Sequence, residues 1–467
     1  MCFPAVKLIR YYVLQPQNNS KRASGCEGLK CKKAKRNPSA EAFCAPQQEP
    51  HTTDDINLLD SKAAAALLGV KTQTLYAYVS RGLIKPAPRH GAQASLYHRE
   101  DIEALRAGGR SSPPTLDQGE RSARWNQSGA LLQTAITNIK QDGPYYRGKS
   151  AIEIAMSRPF EDCVDLLWNG VLPSSRLPWR PAHLPEAFIH LSPIFKQVAE
   201  QCSSWQLLAL ITHAYSASVG RNPEHALGAP VLAGHYLIKV LAPALGLFQN
   251  QQNYAIADEP QSVAQTIIDS LSLQPSEGLT HALNACLILS ADHELAPATF
   301  AARISASTGA DIFSCVSSAL GSFDGPLTGY GCNESERMLC NAKSAKDYVE
   351  QLRGLTAIKE PIPGYNHPLY PDGDPRATYL LELVRNIDST QASKNVLNSI
   401  DACREEFGLI PSLAIGLVAI CAAFGLPRES AGTIMAIGRV AGWLAHVFEQ
   451  RLDGQLVRPR TKYIGPL

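Results

Sequence analysis

Residues 278–340 read GLTHALNACLILSADHELAPATFAARISASTGADIFSCVSSALGSFDGPLTGYGCNESERMLC, and the rest of the chain is organised around them. An apolar run leads into Ala291-Asp292-His293-Glu294, a helix of small residues starts at Thr299, and Gly325-Pro326-Leu327-Thr328-Gly329 makes a turn followed by Asn333-Glu334. From Leu279 onward, Ala-, Leu- and Ile-rich segments alternate with Gly and Pro turns, with almost no β-branched alternation. That texture predicts an overwhelmingly α-helical domain.

With 467 residues, 45% of them hydrophobic, the chain can bury a large core and is long enough for two or more domains. A net charge of +2 gives no whole-molecule field favouring nucleic acid or membrane, so any such partner must be argued from a local feature. The 12 cysteines include no CxxC and no Cys/His cluster at zinc spacing, and no apolar signal-peptide core lies near the start. Reduced thiols in a cytoplasmic protein, with no metal site, are expected. Residues 408–427 carry no charge over about the length that spans a bilayer. Pro411 and two internal glycines interrupt them, so a buried central helix of a soluble core is expected rather than a membrane span.

Residues 1–53 are rich in Ser, Asn, Gln, Pro and Lys and read as a disordered basic tail, with Lys30, Lys32, Lys33, Lys35 and Arg36 clustered. Residues 54–107 differ in texture. Asp60 and Ser61 offer an N-cap, Ala63 to Leu68 a short helix, Gly69 a turn, and Thr72 to Arg81 a second helix. Tyr97 to Leu105 then read as a short wing and a closing helix. This module resembles the winged helix-turn-helix of excisionases and mercury-resistance-type regulators. On that resemblance residues 56–107 bind DNA through Lys71, Thr72, Gln73, Tyr76 and Arg81, polar, aromatic and cationic groups suited to base edges and phosphates. Leu75, Val79 and Leu83 are expected in its core. Tyr76 and Tyr78 can equally be packing residues, and modules of this size also serve as protein-docking units. Residues 108–128, rich in Gly, Ser, Pro and charge, read as a linker.

The remaining residues, 129–467, begin with a short strand over Ala135 to Ile139. The stretch Tyr146-Arg147-Gly148-Lys149-Ser150-Ala151-Ile152 is expected to open a helix that continues through Phe160 to Leu167-Trp168-Asn169-Gly170. Further helical stretches are expected around His190 to Ala214 and Ala229 to Leu247. The ordered series ADHE, TFAARISASTGADIFS, and GPLxG followed by NE resembles the citrate synthase family. The resemblance covers about residues 130–467. It implies a mainly α, two-subdomain fold, with a small subdomain at roughly 330–430 and a C-terminal arm at 452–467. It also implies a homodimer and a transferase joining acetyl- or propionyl-CoA to oxaloacetate, giving a citrate-type tricarboxylate. No permanently bound cofactor is implied; acyl-CoA is a cosubstrate.

Such a condensation needs cations for a dicarboxylate, a base for the methyl proton and donors for two developing oxyanions. By the same resemblance, His293 in ADHE binds oxaloacetate and His367 in Pro363-Gly364-Tyr365-Asn366-His367 donates to the keto oxygen. Arg376 in DPRA, Arg439 in AIGR and Arg458 in VRPR bind its carboxylates, Arg458 from an arm that crosses to the partner subunit. Planar guanidinium groups suit bidentate carboxylate recognition. Taken singly, each residue has an ordinary reading: His293 as a helix-end cap, His367 as an exposed loop histidine, Arg458 as a surface arginine.

The catalytic pair departs from the family. Thr328 stands where the family has the histidine of GPLHG, and Ala414 stands where it has the aspartate of PNxDF. Threonine can still donate from its hydroxyl, but alanine cannot take a proton. Asp324, Glu334, Glu336, Glu405 and Glu406 are nearby carboxylates in sequence that can be considered as substitute bases. Pro368 replaces the arginine of GHRxY that lies close to CoA phosphates, with Arg337, Lys343, Lys359 and Lys462 as compensating cations. Weak or lost turnover is therefore expected. The alternative is a dicarboxylate- or citrate-sensing DNA-binding regulator coupled to the helix-turn-helix. A third reading is a docking module beside a still-active, altered synthase.

Overall fold

The computed structural model describes residues 58–68, 70, 72, 75, 79, 96–99, 102, 132–174, 179–248, 253–326, 328–357, 362–387, 390–458 and 465. Contacts divide the chain into two units, Met1–Thr115 and Leu116–Leu467.

In the first unit, strand β1 (Leu58–Asp60) pairs antiparallel with β2 (Leu96–His98), and helix α1 (Ser61–Leu68) lies between them in sequence. The helix starts at Ser61, two residues before the expected Ala63, because the Asp60 carboxylate accepts the Ala63 amide at 2.7 Å. This bond satisfies one of the donors that a helix start leaves unpaired. Ala64, Ala65, Leu75, Tyr97 and Ile102 form a small core, with Val79 packed against it. Leu75 and Val79 thus take the core places expected of them; Leu83 and Tyr78 lie outside the described residues.

The second unit opens with a three-stranded antiparallel sheet, β3 (Thr137–Lys140), β4 (Gly143–Tyr146) and β5 (Lys149–Ser150). The expected strand at Ala135 to Ile139 is offset by two residues at its start. Tyr146 belongs to β4 and does not open a helix: Arg147 at φ 49° and Gly148 at φ 82° turn the chain back into β5. The helix expected to run on to Asn169 is broken in two, α2 (Ala151–Ser157) and α3 (Phe160–Asn169). Pro159 is the cause, since proline drives the residue before it into extended backbone, and Arg158 sits at φ −126°, ψ 151°.

Then follow α4 (Glu186–Val198), α5 (Ser204–Val219), the single turn α6 (Pro223–Ala226) and α7 (Pro230–Leu241), which tightens into a 3-10 helix at Ala242–Leu247. Next come α8 (Val263–Ser270), α9 (Glu277–Ser290), α10 (Pro297–Ser307), α11 (Ile312–Phe323), α12 (Tyr330–Asn341) and α13 (Ala345–Ala357). The series ends with α14 (Pro375–Arg385), α15 (Gln391–Phe407), α16 (Leu413–Phe424) and α17 (Ser430–Asp453). The unit is mainly α-helical, as the sequence texture requires.

Among the described residues, two stretches are long and apolar enough to cross a membrane by length and composition, Pro230–Leu247 and Ser430–Asp453, but 72% and 94% of their apolar windows are buried inside the protein. The charge-free residues 408–427 yield α16, buried on nearly every side as expected of a core helix. The cysteines among the described residues are free thiols.

Helix α17 is the axis of the larger unit, packing against α3, α9, α10, α11 and α16. Two of its glycines let it lie almost in contact with the end of α9. A Cβ on Gly438 would stand 2.6 Å from the Leu287 carbonyl oxygen, and one on Gly442 would stand 2.3 Å from both the Ala291 carbonyl oxygen and Asp292 Oδ1. The Gly442 amide donates to the Ala291 carbonyl at 2.9 Å. This close approach sets the separation between the Ala291–Glu294 turn and the middle of α17. Gly442→Ala is therefore expected to cost about 1–3 kcal/mol by overpacking against backbone. Thermal unfolding measures it, and an unchanged midpoint would show that the two helices can separate without penalty.

Candidate active site

Four segments converge beside that contact. Helix α9 ends at Ser290, and the turn after it buries Asp292 and His293. Tyr146 holds the turn from β4, its hydroxyl donating towards the carbonyls of Ile288 (2.9 Å) and Asp292 (3.2 Å). The loop carrying His367 and Tyr370 is tied to the segment before α16. Asn366 N–H donates to the Ile410 carbonyl at 2.8 Å, Ile410 N–H donates to Asn366 Oδ1 at 3.0 Å, and Ser412 N–H donates to the Gly364 carbonyl at 2.9 Å. Asp374 caps α14 and presents Arg376; α17 presents Arg439.

The structure brings His293, His367, Arg376 and Arg439 into one cluster. The two imidazoles meet edge-on with centroids 4.9 Å apart, His293 Nε2 is 3.3 Å from the Tyr370 hydroxyl, and the Arg376 guanidinium lies over the Tyr370 ring at 5.2 Å. Arg376 is buried and held by a fork on Asp374, Nε to Oδ1 at 2.9 Å and Nη2 to Oδ2 at 2.8 Å. Asp374 Oδ2 also accepts the Leu413 amide at 2.9 Å, so the arginine is fixed to the start of α16 as well. Arg439 is buried with its Nε unpartnered. A buried donor without an acceptor is costly, and here it belongs to a cation beside a second cation.

The electrostatics favour an anion. Burial, then Arg376, pushes His367 down to about 4, and burial with Arg376, His367 and Arg439 holds His293 well below its usual range. Both imidazoles are neutral near pH 7. Burial, with Arg376 nearby, also lowers Arg439, and Asp292 opposes that shift. Burial alone would raise Asp292 and Asp374, but His446 and Arg439 hold the first below the carboxylate range, and Arg376 holds the second there. His367 Nδ1 accepts the Leu369 amide at 3.2 Å, which places the neutral ring's proton on Nε2, a donor.

The positions of Thr328 and Ala414 read differently. The Thr328 hydroxyl lies 2.8 Å from the carbonyls of Phe323 and Gly325 and 3.1 Å from that of Ser322. Its single proton faces the turn that ends α11, where the Phe323 carbonyl also accepts the Gly329 amide and the Gly325 carbonyl the Thr328 amide. The threonine hydroxyl, still a donor by its chemistry, is directed at its own turn in this structure. Ala414 lies buried in the first turn of α16, next to Leu413 and its bond to Asp374. Glu334 pairs with Arg337 at 2.9 Å, Glu406 with Arg353 at 2.6 Å, and Glu336, raised to about 7 by burial, accepts the Glu429 amide at 2.8 Å. Glu405 is exposed on α15, and Asp324 is half-buried at the end of α11. Each carboxylate considered as a substitute base is thus occupied elsewhere, solvated, or at the Thr328 turn.

Arg458 is exposed beyond α17, apart from the four-residue cluster in the described contacts. Lys343 is exposed, while Lys359 and Lys462 lie outside the described residues. Of the helix-turn-helix contacts, Thr72 is helical and half-buried; Lys71, Gln73, Tyr76 and Arg81 lie outside the described residues. Sequence reading did not assign Tyr146, Tyr370, Asp374, Asp292 or His446 to the site. Asp292 and Asp374 adjoin motif residues and were open to it, whereas Tyr146 reaches the turn from 142 residues away.

A family model for citrate synthase, C-terminal domain, matches residues 127–460, and one for a helix-turn-helix domain matches residues 58–110. The 2-methylcitrate synthase of Shewanella oneidensis is 34% identical over 350 residues, covering 73% of this chain and 93% of that protein. Citrate synthase 2 of Bacillus subtilis is 29% identical over 350 residues, covering 71% and 93%. Among solved structures, citrate synthase from Thermotoga maritima superposes with a TM-score of 0.61 at 22% identity, covering 73% of this chain and 94% of that one. Citrate synthase from Thermoplasma acidophilum, solved as a ternary complex with carboxymethyl coenzyme A and oxaloacetate, gives 0.63 at 20% identity, covering 74% and 96%. This chain therefore belongs to the citrate synthase family, whose region follows a matched helix-turn-helix domain.

Proposed function

We propose that the protein binds a 2-oxo dicarboxylate of the oxaloacetate class through His293, His367, Arg376 and Arg439, and that its condensing turnover with acetyl- or propionyl-CoA is weak or lost. The observation that carries the reading is a cationic pocket with an unpartnered Arg439 Nε, beside catalytic positions that offer neither a base nor a free donor. In this reading the ligand carboxylates take the open faces of the two guanidinium groups, and His367 Nε2–H donates to the keto oxygen. A neutral donor polarises the carbonyl without adding a third positive charge.

Condensation further requires removal of a methyl proton, and a positioned base contributes roughly 10²- to 10⁴-fold. Ala414 supplies none, and the Thr328 hydroxyl faces the Phe323 and Gly325 carbonyls of its own turn. On the same reading the working unit is a homodimer in which Arg458 reaches the partner's pocket. A second reading is favoured by the helix-turn-helix match over residues 58–110: pocket occupancy regulates DNA binding by that domain. Closure of a two-subdomain fold on its ligand is a type of motion able to reposition paired DNA readers.

Calorimetry with oxaloacetate tests the pocket. Heat should be seen with the intact protein, and Arg439→Gln should weaken binding by about tenfold or more, as expected for losing a charged hydrogen bond. Equal affinity in the variant removes Arg439 from the pocket. The pH dependence has a definite sign. His367 stands at about 4 rather than the ordinary 6.5 because burial and Arg376 oppose its charge. A bound dianion favours the charged form and raises that value, so binding takes up protons and affinity should climb as pH falls from about 7 towards about 5. An affinity that drops over that range contradicts a carboxylate beside His367. Finally, Thr328→His with Ala414→Asp should raise thiol release from acetyl-CoA or propionyl-CoA well above the parent's rate. No rise would mean that the pocket has drifted beyond the acyl-CoA reaction.

A further inference from the structure

Beyond Arg439, buried and half-buried residues of the cluster follow one face of α17. Arg439, Gly442, His446 and Glu449 follow one another at helical spacings of three and four, so they share that face. Asp292, which shares the field of Arg439, has Oδ2 at 3.4 Å from His446 Nε2, and its Oδ1 is unpartnered. On the other side of the ring, His446 Nδ1 is 3.3 Å from Arg303 Nη1. A guanidinium nitrogen only donates, so Nδ1 accepts and the imidazole proton lies on Nε2, facing Asp292.

Arg303 is buried, with Nη1 2.8 Å from Glu449 Oε2 and 3.4 Å from the Gln133 carbonyl, and Nε donating to Gln450 Oε1 at 2.9 Å. The other oxygen of Glu449 accepts the Ala135 amide at 2.8 Å. Gln133 and Ala135 are among the first described residues of the larger unit, directly after the stretch that joins it to the helix-turn-helix region.

We propose that His446 is a positioning residue for the pocket and that the chain Asp292–His446–Arg303–Glu449 carries pocket occupancy to the backbone at Gln133 and Ala135. The proposal rests on the dicarboxylate reading above and supplies its means of communication. A dianion on Arg439 competes with Asp292 for that cation. The Asp292 carboxylate then leans more heavily on the His446 Nε2–H, which strengthens Nδ1 as an acceptor from Arg303. Arg303 in turn shares its donors between His446 and Glu449, so the grip of Glu449 on the Ala135 amide changes with it. In a buried setting hydrogen bonds polarise one another in this way. Because α17 is rigid and pinned at Gly442, the change is passed along side chains and not lost in a helix shift.

The test separates His446's two bonds. His446→Gln puts an amide N–H near the place of Nε2 and keeps the donor to Asp292. His446→Asn puts an acceptor near the place of Nδ1 and leaves Asp292 without a donor. Oxaloacetate affinity by calorimetry should stay within about threefold of the parent in the Gln variant and fall by about tenfold or more in the Asn variant. In the intact full-length protein, oxaloacetate should change hydrogen exchange at the Ala135 amide by about threefold or more. Glu449→Gln keeps an acceptor for that amide but removes the charge, and should abolish the exchange response while holding affinity within about threefold of the parent. Thermal melts establish that each variant is folded, and Glu449→Gln tests the chain independently of the His446 pair. Equal affinities for the two His446 variants, or oxaloacetate binding with unchanged Ala135 exchange, overturns the proposal and leaves the pocket reading standing. No oxaloacetate binding by the parent protein overturns both.

Discussion

The contact between the middle of α17 and the end of α9 is the constraint on which the rest depends. Gly442 donates its amide to the Ala291 carbonyl, and any side chain there would collide with Asp292. At that separation Asp292 shares the field of Arg439 on one side and meets His446 on the other. A buried charge without partners would be expensive. The arrangement balances Arg439 with one shared carboxylate and leaves its Nε without a partner, which is a standing preference for an incoming anion.

The second cation is treated differently. Arg376 is locked on Asp374, and Asp374 is locked on the start of α16, so this arginine is a fixed reference point while Arg439 has an open donor. Between them the imidazoles are kept neutral by burial and by the arginines themselves. On the proposed reading the pocket orients a dicarboxylate and polarises its keto group, which is half of a condensing site. On the same reading the missing half is local: one methyl group at Ala414 and one hydroxyl turned back on its own helix end at Thr328. The proposal that follows is of a protein that reads its ligand more than it transforms it.

Much of the clustering was legible in the sequence because the candidate residues sit inside short motifs. ADHE, DPRA and AIGR carry His293, Arg376 and Arg439 next to the turns and helix starts that place them. The α-helical class followed from texture alone. Other features depend on contacts between distant segments. Nothing local says that the Thr328 hydroxyl faces the carbonyls of Ser322, Phe323 and Gly325, or that Tyr146 braces a turn 142 residues away. Some signals were present and passed over: Pro159 marks the break between α2 and α3, and the spacing of Arg439, Gly442, His446 and Glu449 marks one helical face. Arg147-Gly148 reads as a helix opening until strand pairing on both sides shows it to be a turn.

The central claim is that a 2-oxo dicarboxylate sits among His293, His367, Arg376 and Arg439. A crystal structure of the protein grown with oxaloacetate tests it most directly. The account predicts a ligand carboxylate within hydrogen-bond distance of Arg439 Nε, the second carboxylate on Arg376, and the keto oxygen within reach of His367 Nε2. A pocket without the ligand at saturating concentration, or the ligand bound away from these four side chains, would contradict it.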